Sequence, residues 1–254
     1  MKLLHILRFL CYMFFLIPIL VLVIWSMVIS WRFEDVLPSV ISFRYILHIF
    51  TSGNYIILIK SLIFSFAVAV ASIIIAVLAS SSLVRMKKSY TSWIEILFYL
   101  PMLLPTISIC LGLHRILLSI PTSAMLNIFL LHVYFSFPYA FKVIFSAHKQ
   151  NGYKIINTGK NLGLSDIRIL AHLEIPMLKK DFYGAFIFSF AVSYGQYFIN
   201  YFFGDIRTVN FSMILAPFLA TSNRSVSAAY ILYFIGSAFI GIFVFKKGVN
   251  KCMK

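Results

Sequence analysis

The sequence predicts an all-α, polytopic membrane protein with six transmembrane helices, and three observations carry that reading. Hydrophobic residues make up 61% of the 254-residue chain and charged residues only 11%, against about 45–50% and about 25% in ordinary globular proteins. The apolar residues gather in runs near the roughly 20 residues needed to cross about 30 Å of hydrocarbon. Between the runs fall 22 Lys and Arg against 7 Asp and Glu, a net charge of +15. A soluble fold of this length has too little interior for so much apolar surface. The same figures exclude disorder and a disulfide scaffold, and Cys11, Cys110 and Cys252 form no framework pattern.

The first run, about 9–29, is unbroken by charge and lacks a small-residue cleavage site, which predicts an uncleaved anchor. Further runs cover about 55–79, 94–118, 124–147, 182–203 and 226–245. Lys60, Arg115 and Lys142 lie near span ends, where long basic side chains reach the headgroups. The loop from Ser30 to Asn54 carries Trp31, Phe33, Phe43 and Tyr45, a pattern for a segment lying in the interface. Pro101 and Pro105 in the third span and Pro138 in the fourth free backbone carbonyls and predict bends. The chain divides into an anchor and outer loop (1–53), a transmembrane core (54–245, with a polar segment at 147–180) and a basic tail (246–254).

Orientation follows from the basic residues. With the N-terminus inside, only Arg32, Arg44, Lys60, Arg115, Arg207 and Arg224 fall outside; every other Lys and Arg falls inside. Basic loops resist translocation, so both termini are expected in the cytoplasm. The positive charge is thereby accounted for, which removes nucleic acid from the expected partners and leaves membrane lipid.

The acids narrow the energetics. Glu34 and Asp35 lie in the outer loop, Glu95 opens the third span and Asp205 closes the fifth. Asp166, Glu174 and Asp181 belong to a cytoplasmic segment. None falls near the bilayer midplane, where proton- or sodium-coupled carriers keep ionisable groups. A secondary transporter or channel is the alternative reading. The phosphate-binding loop Gly-x4-Gly-Lys-Ser/Thr is lacking, since Gly152 and Gly159-Lys160-Asn161 have the wrong spacing and no hydroxyl. ATP-driven transport would require a separate ATPase. A membrane enzyme has less support: the histidines are scattered without a helical metal pair, and there is no nucleophile elbow.

The stretch 147–180 is long for a connection between bundle helices. Ile155, Ile156 and Leu162 predict a short amphipathic helix stopped by Gly163. Ser165 or Asp166 then caps a second helix, which Pro176 closes. From periodicity alone, a solvated loop is an equal alternative. Spacing separates the two. The segment resembles the signature loop of permease subunits in type I, binding-protein-dependent ABC importers, whose pattern is Glu-Ala-Ala, three residues, Gly, nine residues, then Ile-x-Leu-Pro. Here Asn157-Thr158-Gly159, Lys160-Asn161-Leu162, Gly163, the run Leu164 to His172, and Leu173-Glu174-Ile175-Pro176 keep every spacing. Leu162-Gly163-Leu164-Ser165 resembles the family's Leu-Gly-Ala-Ser core. Asn157-Thr158-Gly159 departs from Glu-Ala-Ala, losing a charge and placing a helix-weakening glycine. Leu100-Pro101 with Pro105, and Phe188-Ser189-Phe190 with Ser193 to Gln196, resemble the family's third and fifth spans.

The resemblance implies an inner-membrane permease subunit that binds no cofactor itself, with ATP and magnesium on a separate ABC ATPase. It implies a second permease chain, identical or homologous, and an extracytoplasmic substrate-binding protein. It assigns ATPase coupling to Asn157, Thr158, Gly159, Lys160, Leu162, Gly163, Ser165 and Pro176, and its flavour suggests thiamine, ferric iron or polyamine as cargo. Polar residues inside spans are candidates for the translocation path: Thr106 and Ser108, Tyr134, and Tyr194, Gln196, Tyr197 and Asn200, with Gln196 and Asn200 one turn apart on one face. Interhelical hydrogen bonding is the competing role for these residues. No charge among them favours a strongly ionic ligand, while Tyr194 and Tyr197 suit an organic cation. A cysteine introduced at Lys160 should escape membrane-impermeant thiol reagents applied to intact cells. Efficient labelling from outside would overturn the orientation.

Overall fold

A computed structural model describes residues 2–31, 40–119, 122–221 and 223–252. The order is α1 (Lys2–Ser26), β1 (Val28–Ser30), β2 (Val40–Ile41), α2 (Arg44–Thr51), α3 (Asn54–Val84), α4 (Lys88–Leu103), α5 (Thr106–Ser119) and α6 (Ala124–Asn161). Then come α7 (Asp166–Ile169), a π-helical turn (Leu170–Glu174), α8 (Ile175–Tyr194), α9 (Phe198–Phe203), a 3-10 turn (Ile206–Thr208), α10 (Phe211–Ala220) and α11 (Arg224–Cys252). The protein is all-α and polytopic. Among the described residues two strands form one short antiparallel pair, Val28 opposite Ile41. Of the interfacial aromatics expected in this loop, Phe33 lies outside the described residues, as do Arg32, Glu34 and Asp35.

Four helices among the described residues are long and apolar enough to cross a membrane: Leu7–Ser26, Asn54–Val84, Ala124–Gln150 and Arg224–Val249. A fifth span results if α4 and α5, which meet at 95°, count as one. That bend falls at Leu104, extended at φ −92° and ψ 134°, because Pro105 excludes the helical conformation from the residue before it. Pro101 and Pro138 sit inside α4 and α6 without ending them. The fifth expected span, 182–203, is divided. Here α8 stops at Tyr194 and Gly195 to Tyr197 separate it from the six-residue α9.

The chain forms two compact units, residues 1–59 with 211–237, and residues 60–210 with 238–254. In the first, Ile49, Phe211, Val226 and Tyr230 make a small core. The fully buried Tyr230 hydroxyl accepts a hydrogen bond from Asn54 Nδ2 (2.8 Å) and lies 3.0 Å from His48 Nδ1. By contrast α1 exposes Phe9, Tyr12, Phe14 and Phe15 around its circumference, as a helix does whose solvent is lipid.

The second unit is built on the packing of α6 against α8. Phe186 stacks on Phe245 of α11 with ring centres 3.8 Å apart. Cys110, Ile128, Leu131, Phe135, Ile199 and Phe203 form its apolar core. The buried face of α3 includes a row of small residues, Ser61, Ser65, Ala69, Ser72, Ala76 and Ser80, beside Val68, Ile73, Val77 and Leu83. Such a row lets neighbouring helix backbones approach closely where lipid offers no hydrophobic drive.

Candidate functional site

The polar segment is a helical hairpin. α6 runs unbroken from Ala124 to Asn161, so its last turns, not a separate short helix, form the first arm. The reversal is at Gly163, with φ +74°. Gly163 N–H donates to the Lys160 carbonyl (2.9 Å) and Leu164 N–H to the Gly159 carbonyl (3.0 Å), the paired bonds of a Schellman turn. The space around Gly163 is open; the backbone angle, not crowding, demands glycine.

The second arm starts after Ser165, which occupies the cap position without a side-chain cap bond. It does not close at Pro176. The helix continues through the π turn into α8, with Pro176 exposed just beyond that turn. A proline lacks the donor for an i→i−4 bond and its ring crowds the carbonyl four residues back. A widened turn at that place lets the helix pass the proline without stopping.

Gly159, expected to weaken the helix, is where the arms touch. A Cβ there would fall 2.7 Å from Ile169 Cγ1 and 3.0 Å from Leu173 Cδ1. Asn157 is partly exposed, Thr158 donates its hydroxyl to the Lys154 carbonyl (2.9 Å), and Lys160 is exposed. At the tip, Leu162 is 72% and Ile167 80% exposed. Two large apolar side chains are thus exposed beside the turn.

Behind the hairpin lies a buried charge cluster. Glu174, in the π turn, and His148, on α6, are both 0% exposed. Arg85, just beyond α3, donates through its guanidinium to Glu174 Oε1, and its Nε is 3.8 Å from Asp166 Oδ1. His148 Nε2 lies 3.2 Å from Glu174 Oε2, and Ser80 Oγ hydrogen-bonds His148 Nδ1. Burial opposes ionisation of Glu174, but His148, Ser81 and the Arg85 charge outweigh it and hold the carboxyl below its usual value. The cluster therefore fastens the hairpin to α3 and α6. Sequence reasoning missed it. Its available signal was that Arg85, His148 and Glu174 all flank spans on the same predicted side.

Near the other end of α6 is a cavity of about 670 Å³. Lys60 and Arg207 are the exposed cations of its lining; buried His132, Tyr194, Asn200 and Asn210 are its polar interior. His132 Nε2 lies 2.8 Å from Asn200 Oδ1 and its Nδ1 3.0 Å from Ser193 Oγ. Asn200 Nδ2 donates to the Thr208 carbonyl (2.8 Å), and Asn210 Nδ2 donates to the Gln196 carbonyl (2.6 Å) and to Asn200 Oδ1 (3.1 Å).

Of the path residues expected from sequence, Tyr194 and Asn200 line this cavity, and Thr106, Ser108, Tyr134, Gln196 and Tyr197 are not among its lining residues. Thr106 and Ser108 lie on α5, Tyr134 is exposed on α6, and Tyr197 stacks on Tyr201. The helix break separates Gln196 from Asn200, so the two do not share a helix face. None of the expected path residues is charged, but Lys60 and Arg207 both line this cavity.

The described residues form a multi-span helical protein with a polar hairpin between two of its long helices. A family model described as "Binding-protein-dependent transport system inner membrane component" matches residues 71–247. The chain belongs to that family and is a permease component of a binding-protein-dependent ABC importer. Its curated relatives include the "Putative 2-aminoethylphosphonate transport system permease protein PhnV" of Salmonella typhimurium strain LT2, 22% identical over 186 residues, 72% of this chain and 69% of the relative. Proteins of the same name in Salmonella choleraesuis and Salmonella paratyphi A match with the same identity and coverage. That name specifies neither thiamine, ferric iron nor a polyamine.

Two outcomes follow from the hairpin. Gly159→Ala gains about 1 kcal/mol of helix propensity but overpacks the contact with Ile169 at a cost of about 1–3 kcal/mol. The melting temperature of the detergent-purified protein should therefore fall; a rise would show that the arms are free to separate. Glu174→Gln breaks a buried ion pair by removing one partner, which costs about 3–5 kcal/mol. Because the folded carboxyl titrates below its unfolded value, its stabilisation is intact above the ordinary carboxylate range and disappears as pH falls through the lowered value. Acid unfolding curves should show that loss for the parent chain and not for Glu174→Gln.

Proposed function

We propose that the hairpin is the element through which a separate ABC ATPase drives this permease. The observation that carries this reading is the Gly163 turn, with φ +74° at the glycine that the spaced motif shares with the family pattern, flanked by exposed Leu162 and Ile167. On this reading ATP and magnesium bind only the partner ATPase, and the N-terminus, C-terminus and hairpin face the cytoplasm. A second permease chain completes the translocation path, and a substrate-binding protein delivers cargo at the outer face. The name of the Salmonella relatives makes a small phosphonate the cargo to be tested first.

ATP-driven movement of the ATPase would push on the hairpin tip. The tip cannot move alone, because the Schellman turn fixes it to α6 and Glu174 fixes the second arm to Arg85 and His148. The load passes along α6 and α8 toward the cavity. Asn157, which replaces the family's usual glutamate, offers a neutral polar contact in place of an ion pair.

Gly163→Val places a β-branched residue in left-handed backbone, a strain of on the order of 1–3 kcal/mol. Membrane abundance should stay near normal, while ATPase recovery on co-purification falls and uptake is lost. Asn157→Ala should give a milder loss of ATPase recovery. Normal ATPase recovery and uptake for Gly163→Val would sink the coupling role.

A further inference from the structure

We propose that the cavity bounded by Lys60 and Arg207 is a binding site for a phosphorus oxyanion, with the two cations as its recognition groups; this rests on the permease reading above. Three observations converge. First, the residues lining the cavity include two cations and no carboxylate. The nearest acid in sequence, Asp205, lies outside the lining; its Oδ1 accepts from the Arg207 and Thr208 backbone N–H groups and from the Thr208 hydroxyl, each at 3.0 Å, and the Arg207 charge acts on it only from beyond ion-pair distance. Among the described residues neither Lys60 nor Arg207 forms an ion pair within 4 Å. A basic side chain that only reaches for headgroups has no need of a second cation from a distant segment at the same cavity.

Second, the polar interior is neutral and internally satisfied. Asn200 Nδ2 donates to a carbonyl, so its Oδ1 is the acceptor that His132 and Asn210 address. His132 then carries its proton on Nε2 and accepts from Ser193 at Nδ1. These groups shape the floor and leave the charge recognition to the two cations. Third, α6 begins here, with Ser123, Met125 and Leu126 in the lining. The positive end of its dipole adds to the field of the cations. A guanidinium suits the forked recognition of phosphate-type oxygens, and an ammonium supplies a second point charge. Apolar walls of Ile63, Phe64 and Phe129 lower the local dielectric and strengthen both.

The ligand chemistry fits a free phosphonate or a phospholipid headgroup, and the test separates them. The full chain in phosphatidylcholine nanodiscs is titrated with 2-aminoethylphosphonate and with inorganic phosphate, with choline as the cationic control. Saturable binding of the two anions and not of choline is expected. Lys60→Gln and Arg207→Gln should each weaken it by about tenfold or more, and the double variant should abolish it. In nanodiscs containing phosphatidylglycerol, unchanged anion affinity assigns the site to the solute. Weakened affinity, with less phosphatidylglycerol retained by the double variant in mass spectrometry, assigns it to the headgroup. Equal binding by the parent and a double variant of unchanged melting temperature, absence of anion binding to the parent, or choline binding of similar strength overturns the proposal. ATPase co-purification keeps the two readings apart. A parent chain that recovers its ATPase while failing to bind anions loses only the site. A parent chain that recovers no ATPase loses the permease coupling.

Discussion

A carboxylate removed from water must be compensated on the spot, and in this protein Glu174 is the carboxylate around which the hairpin is organised. It is 0% exposed, and its oxygens meet Arg85 from beyond α3 and His148 from α6. Three segments distant in sequence are tied by one side chain. Removing either charge would leave the other uncompensated in an interior that solvates it poorly. Arg85 also faces Asp166 at the start of the second arm, although that exposed partner contributes little. The small-residue face of α3 complements this arrangement, because close backbones bring Ser80 against His148.

The π turn places this carboxylate. It is the turn that ends at Glu174, two residues before Pro176. Adding a residue to one turn resets the phase of the following helix by about 100°. The second arm can therefore direct Glu174 inward and still present Ala185, Phe186, Ser189 and Phe190 of α8 as a buried face. The helix stays continuous from Asp166 to Tyr194 by changing its hydrogen-bond register and not by breaking.

Much of the fold was legible because local chemistry decided it. Gly163 was readable because few residues other than glycine accept a positive φ at a helix end. The long apolar runs marked the spans because lipid permits little else. Pro176 was misread because a local rule for helix ends met a π turn that only the surrounding packing selects. Gln196 and Asn200 were misphased for a similar reason, since periodicity assumes an unbroken helix and the chain breaks at Gly195 to Tyr197. The charge cluster was invisible because its members are far apart in sequence: Arg85 and Glu174 are separated by 89 positions. Lys60 and Arg207 were read as loop or headgroup charges because hydropathy gives approximate depth and no lateral direction.

The break between α8 and α9 is as constrained as the hairpin. His132 contacts Ser193 before the break through one ring nitrogen and Asn200 after it through the other. Asn200 is also committed to the Thr208 carbonyl and to Asn210. Any change in the angle between α8 and α9 must therefore give up at least one buried polar contact, and leaving such a group unsatisfied costs about 1–3 kcal/mol. A site held this way prefers discrete arrangements to gradual deformation. α6 carries both His132 and His148, so the helix that closes the Glu174 cluster also carries the ring that braces the cavity. Its 38 residues span about 57 Å, so no flexible linker separates the hairpin from the cavity along this helix.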